Sequence, residues 1–108
     1  MTLNDIKIIA YHNCKLKGFW DEERNIGEMI ALCHSELSEA LEEIRKNPNP
    51  LFEYTEEGGK PCGFLTELGD CIIRILDICG YLNVDIERII LEKMQYNSKR
   101  GYKHGKEF

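Results

Sequence analysis

The stretch from Phe64 to Leu82 constrains this chain more than any other. Leu65, Leu68, Cys71, Ile72, Ile73, Ile75, Leu76, Ile78 and Cys79 leave it almost no polar side. A run of this length and character reads as a helix that is apolar nearly all round. Such a helix lies at the centre of a helical assembly or in a subunit interface. The charged residues set into it, Glu67, Asp70, Arg74 and Asp77, are spaced by three, four and three and so share one stripe. Charges in the most apolar helix of a chain call for a compensating partner.

The rest of the chain supplies helices to pack around it. Thr2 can cap a first helix with Asp5 three residues on, and that helix runs to about Lys17, where Gly18 ends it. Ile30, Cys33, Leu37, Ala40, Leu41 and Ile44 recur at helical spacing and write a second helix over Ile26–Lys46. The run Asn47-Pro48-Asn49-Pro50 stops it, because proline lacks the amide and constrains its predecessor. Residues 47–63, with Gly58-Gly59 and Pro61, read as a long loop of the kind that serves as a mobile flap. Gly58-Gly59-Lys60 does not satisfy the phosphate-loop pattern. Asn83 closes the third helix. Asp85 caps a fourth that extends to about Lys99, with Val84 and Ile89 as a hydrophobic staple. Four helices and no convincing strand predict an all-α, four-helix bundle in a single domain covering residues 1–108.

Composition narrows the functional classes. Hydrophobic residues make up 43% and charged residues 31%, which fits an ordered globule. No apolar run approaches a membrane span, and Met1–Lys15 lacks the pattern of a signal peptide, so a cytoplasmic protein with no membrane partner is expected. The five cysteines form no CxxC pair and read as reduced, structural thiols. A formal net charge of -5 argues against a nucleic-acid duplex as partner. The charge is uneven, however. Lys93, Lys99, Arg100, Lys103 and Lys106 follow one another with no acid from Lys93 to Lys106, while acids gather mid-chain.

Those acids carry the functional argument. Glu36 and Glu39 lie about 60° apart on the second helix, and so do Glu67 and Asp70 on the third. If the two helices pack antiparallel, the pairs face each other across the seam. Four anions gathered in a partly buried place repel one another unless a cation compensates, and all-oxygen donors suit a hard divalent ion. Mg²⁺ fits, with Mn²⁺ as a substitute, since Mg²⁺ keeps waters and accepts phosphate oxygens. A di-iron site wants Glu-x-x-His on two helices, and no histidine stands three residues after any of the four acids. Lys93, Asn97 and Arg100, spaced by four and three, form a polar stripe on the last helix. It reads either as a solvated face or as a grip on oligophosphate. Phe19 and Trp20 in the first connection either fold back on the core or offer a surface on which a base could stack.

Taken in order, these motifs resemble the MazG-like nucleotide pyrophosphohydrolases. The residues that carry the resemblance are Glu36-Leu37-Ser38-Glu39 on one helix and Glu67-Leu68-Gly69-Asp70 on the next. It extends to Leu41-Glu42-Glu43-Ile44-Arg45, Ile73-Arg74-Ile75-Leu76-Asp77, Lys93-Met94-x-x-Asn97-x-x-Arg100, the tail His104-Gly105-Lys106, and Lys17-Gly18-Phe19-Trp20 near the start. Ser35 stands where many members carry an additional glutamate. The resemblance implies hydrolysis of a (deoxy)nucleoside triphosphate to the monophosphate and pyrophosphate. It implies Mg²⁺ held by Glu36, Glu39, Glu67 and Asp70, with Glu39 as acceptor of the water proton. Lys93, Asn97 and Arg100 would then hold the phosphates, with Lys93 catalytic in stabilising charge on the departing pyrophosphate, and Phe19 and Trp20 the base. A related phosphoribosyl-ATP, dUTP or dCTP hydrolase is the alternative within that chemistry. A catalytically silent bundle that binds nucleotide is the alternative outside it. The uniformly apolar third helix further predicts a homodimer or a dimer of dimers.

Overall fold

In the computed structural model, which describes residues 1–106, all four expected helices are present, and α1, α2 and α4 begin at a side-chain cap whereas α3 starts after Gly63 without one. Thr2 Oγ1 accepts from Asp5 N at 3.1 Å while Asp5 accepts from Thr2 N at 2.9 Å, a reciprocal box that opens α1 (Leu3–Leu16). Asn25 accepts from Glu28 N at the start of α2 (Ile26–Lys46). The third helix, α3, spans Phe64–Leu82 and ends on Asn83 in the left-handed conformation. Asp85 accepts from Arg88 N and opens α4 (Ile86–Ser98).

The expected loop over 47–63 is corrected by the structure. Glu53–Glu56 (β1) and Lys60–Gly63 (β2) pair antiparallel, from Glu53 opposite Gly63 to Glu56 opposite Lys60. Gly58 and Gly59 make the reversal at φ 82° and 80°, values that L side chains avoid. The hairpin is tied down. Cys62 is buried, and the Tyr54 hydroxyl reaches the Glu43 carboxylate of α2 at 2.9 and 3.1 Å. The architecture is therefore mainly α, with a small two-stranded sheet rather than helices alone.

α3 is the central helix, with α1 and α2 packed against it. Against α1 the approach is close enough to require glycine. A methyl group at Gly80 would collide with the Tyr11 side chain and lie 3.2 Å from the Lys7 carbonyl oxygen. The Lys7 ammonium, itself buried, donates to the Val84 carbonyl at 2.6 Å and ties α1 to the turn before α4. Against α2 the seam is built from small residues, with Cys33, Ala40 and Cys71 all buried.

Much apolar surface stays uncovered. Ile72 and Ile75 of α3, and Leu91 and Met94 of α4, are all exposed, and α4 buries no residue. The Cα radius of gyration is 16.4 Å, whereas a compact chain of this length has about 13 Å. No helix among the described residues is long and apolar enough to cross a membrane.

Candidate metal centre

Helical periodicity brings the acids together. Glu36 of α2 and Glu67 and Asp70 of α3 each offer one carboxylate oxygen, and the three oxygens lie within 4.8 Å of one another. Glu36 is buried and the other two are half-buried. Glu39, the fourth expected acid, lies outside this triad. It is exposed and rests against Glu67 and Glu36, within hydrogen-bonding reach of both.

The electrostatics are those of a crowded anionic site. Burial, then the Glu39 carboxylate, then Asp70 and Glu36 push the Glu67 carboxyl up to about 7. Asp70 is raised as well, by burial and then by Glu36, against the lowering charges of Arg74 and Lys60. Glu36 goes the other way. Burial opposes its ionisation, but the Arg74 guanidinium hydrogen-bonds it at 2.8 Å and leaves its pKa below the ordinary value. Glu67 Oε2 is enclosed and has no hydrogen-bond partner among the described residues. A buried carboxylate oxygen without a donor is costly, and a hard cation among oxygen ligands would remove that cost. The donor set could therefore hold a metal ion that takes oxygen ligands.

Two of the acids, Glu36 and Asp70, open onto a cleft of about 280 Å³ that Arg74, Arg24, Asp77, Cys14, Phe19 and Ile73 also line. Phe19, expected near a base, lines it and is itself 61% exposed. Trp20 does not. Its indole N–H donates to Asp77 at 2.8 Å, and its ring stacks on Tyr81 at 4.2 Å between centroids, so it packs onto α3. Asp77, the last member of the charged stripe, is buried and also ion-pairs with Arg24 at 3.0 Å. Lys93, Asn97 and Arg100 do not line the cleft. Lys93 and Arg100 lie against the Tyr96 ring, and Asn97 Oδ1 is enclosed without a hydrogen bond among the described residues.

Sequence reasoning missed two cations of this region. Arg24 sits in an irregular connection with no periodic signal. Lys60 belongs to the segment read as a loop, and only the hairpin brings it close enough to Asp70 to act on its charge. The pair Gly58-Gly59, a short way after the strand-favouring Tyr54-Thr55, was the available sign of that hairpin. The chain matches no protein-family model, no curated protein and no solved structure.

Proposed function

We propose that the protein is a Mg²⁺-dependent nucleotide pyrophosphohydrolase built as a four-helix domain of the MazG-like type. It would convert a nucleoside triphosphate to the monophosphate and pyrophosphate. The observation that carries the reading is the convergence of Glu36, Glu67 and Asp70 from two helices onto one point, with Glu67 Oε2 enclosed and accepting no hydrogen bond among the described residues. Those three residues would hold the ion, and Glu39 would complete its surroundings. When bound, such an ion neutralises phosphate charge and lowers the pKa of a coordinated water. Glu39 is exposed beside Glu67, a suitable position from which to accept a proton from an attacking water. Phe19, on the cleft wall, would contact the base. Incubating the protein with common and modified triphosphates in MgCl₂ should release pyrophosphate from at least one of them. Binding of triphosphate without any release would favour the silent nucleotide-binding bundle instead.

The second part of the proposal is assembly into a homodimer or dimer of dimers, supported by the apolar faces of α3 and α4 and by the expanded radius of gyration. In that arrangement Lys93, Asn97 and Arg100 would serve the cleft of a neighbouring copy rather than that of their own chain. Sedimentation at micromolar concentration should give at least twice the 12.6 kDa of one chain. A purely monomeric profile would remove this part.

A further inference from the structure

Two guanidinium groups line the carboxylate cleft, and they are engaged differently. Arg24 spends a terminal amino group, Nη1, on the buried carboxylate of Asp77 at 3.0 Å. Arg74 spends only its inner nitrogen, with Nε donating to Glu36 Oε1 at 2.8 Å. Its two terminal amino groups donate no hydrogen bond among the described residues. Glu36 also belongs to the carboxylate triad, and a carboxylate has two oxygens. One of them can stay on Arg74 while the other turns to an ion.

We propose that Arg74 is a substrate-binding residue, whose free guanidinium fork takes an anionic phosphate oxygen of the ligand held at the Glu36–Glu67–Asp70 ion. This rests on the metal reading above and extends it by naming the phosphate contact within the same chain. A planar fork with two parallel N–H donors matches a phosphate bidentately, which a lysine ammonium cannot do. The spacing follows from the helix. Arg74 stands four residues after Asp70, one turn along the same face, so the phosphate contact and the metal ligands are held by one rigid element. Lys60 is exposed on the hairpin, and Lys93 and Arg100 do not line the cleft. Arg74 is thus the cation here that both touches a triad carboxylate and keeps donors to spare.

The test measures two affinities separately, neither of them an activity. Titration calorimetry with MgCl₂ alone reads the ion. Retention of labelled inorganic pyrophosphate at saturating MgCl₂ reads the anion. Arg74→Gln removes the charge and Arg74→Lys keeps it without the fork. Arg45→Gln, an exposed pair with Glu42 on α2, is the control, and thermal melts in MgCl₂ confirm folding. Arg74→Gln should bind Mg²⁺ at least as tightly as the unmodified protein, since a repelling charge is gone. It should bind pyrophosphate about ten- to a hundredfold more weakly, the loss expected for a charge-assisted contact. Arg74→Lys should fall between, and Arg45→Gln should match the unmodified protein. Unchanged pyrophosphate affinity in Arg74→Gln overturns the assignment while leaving the ion site standing. Equal losses of ion and pyrophosphate would mean that Arg74 merely positions Glu36, and also overturn it. No Mg²⁺ binding by the unmodified protein overturns both this assignment and the metal reading.

Discussion

Replacing Glu67 with glutamine should leave the chain folded, remove its divalent-ion binding, and make the ion-free protein more stable at pH 8 than the unmodified one. The three effects share one cause. Glu67 supplies one of three converging oxygens, and its carboxyl is held up to about 7 by burial and by Glu39, Asp70 and Glu36. An acid whose folded pKa is raised stays protonated in the folded chain after it has ionised in the unfolded one. Stability therefore falls as pH rises from about 4.5 towards 7 and then levels, as far as this group is concerned. Glutamine never ionises, so the variant escapes that fall. The gain at pH 8 without ions should be about 1–3 kcal/mol, shrinking to about a quarter of that at pH 5. Losing an outer partner of a metal ligand typically costs about 10–100-fold in affinity. Losing the ligand itself should cost about a hundredfold or more by the same scale, and activity with it. Urea unfolding at pH 5 and 8 in EDTA checks the first effect, and calorimetric titration with Mg²⁺ checks the second. A variant that binds Mg²⁺ normally, or is less stable than the parent at pH 8, would remove the carboxylate site from the account.

The helices were legible because each carries its own boundary chemistry. Thr2 and Asp5, Asn47-Pro48, Asn83 and Asp85 act within a few residues of the end they define, so no tertiary information was needed. The convergence of Glu36, Glu67 and Asp70 was legible for a related reason. Spacing puts Glu67 and Asp70 on one face, and the small residues of the α2–α3 seam permit the approach that brings Glu36 to them. The hairpin was not. Its strands are four residues long and mostly exposed, so they show no alternation, and Pro61 speaks against a strand. Its stability comes from Cys62 and from Tyr54 meeting Glu43, contacts that sequence spacing cannot announce. The role of Trp20 was legible only as a choice between core and cleft. What decides it is Asp77, fifty-seven residues away, whose carboxylate accepts the indole N–H. The α4 stripe is the counterpart at the other end of the chain. Periodicity groups Lys93, Asn97 and Arg100 on one face, but it carries no information about what that face meets.

Asp77 is accordingly the residue outside the metal site whose loss should be felt most. It is 4% exposed, and it receives Trp20 Nε1 at 2.8 Å and Arg24 Nη1 at 3.0 Å. Both donors lie in the irregular connection between α1 and α2, so one carboxylate on α3 holds that whole segment against the central helix. The Cys14 thiol sits beside it. Burial, followed by the Asp77 charge, raises the Cys14 pKa. Asp77→Ala would strand the indole N–H and leave the Arg24 guanidinium without its counter-charge. Breaking a buried pair from one side costs about 3–5 kcal/mol. Arg24 keeps 18% of its side chain exposed and can recover some hydration, so about 3 kcal/mol is the expected loss. For a domain of this size that lowers the melting temperature by more than about 10 °C. Asp77→Asn keeps an oxygen for the indole but sets an amide NH₂, a donor, where Arg24 found its acceptor, so it should cost less than Asp77→Ala only by about the indole bond, ~1 kcal/mol. Thermal melts of both variants at one protein concentration, with Trp20 fluorescence as the local probe, give the ordering. Trp20 is the chain's one tryptophan, so its emission reports directly on whether the connection has left α3. Should Asp77→Ala melt within a few degrees of the parent with unshifted emission, the Tyr81 stack alone would be enough to hold the connection, and the carboxylate would be dispensable to the fold.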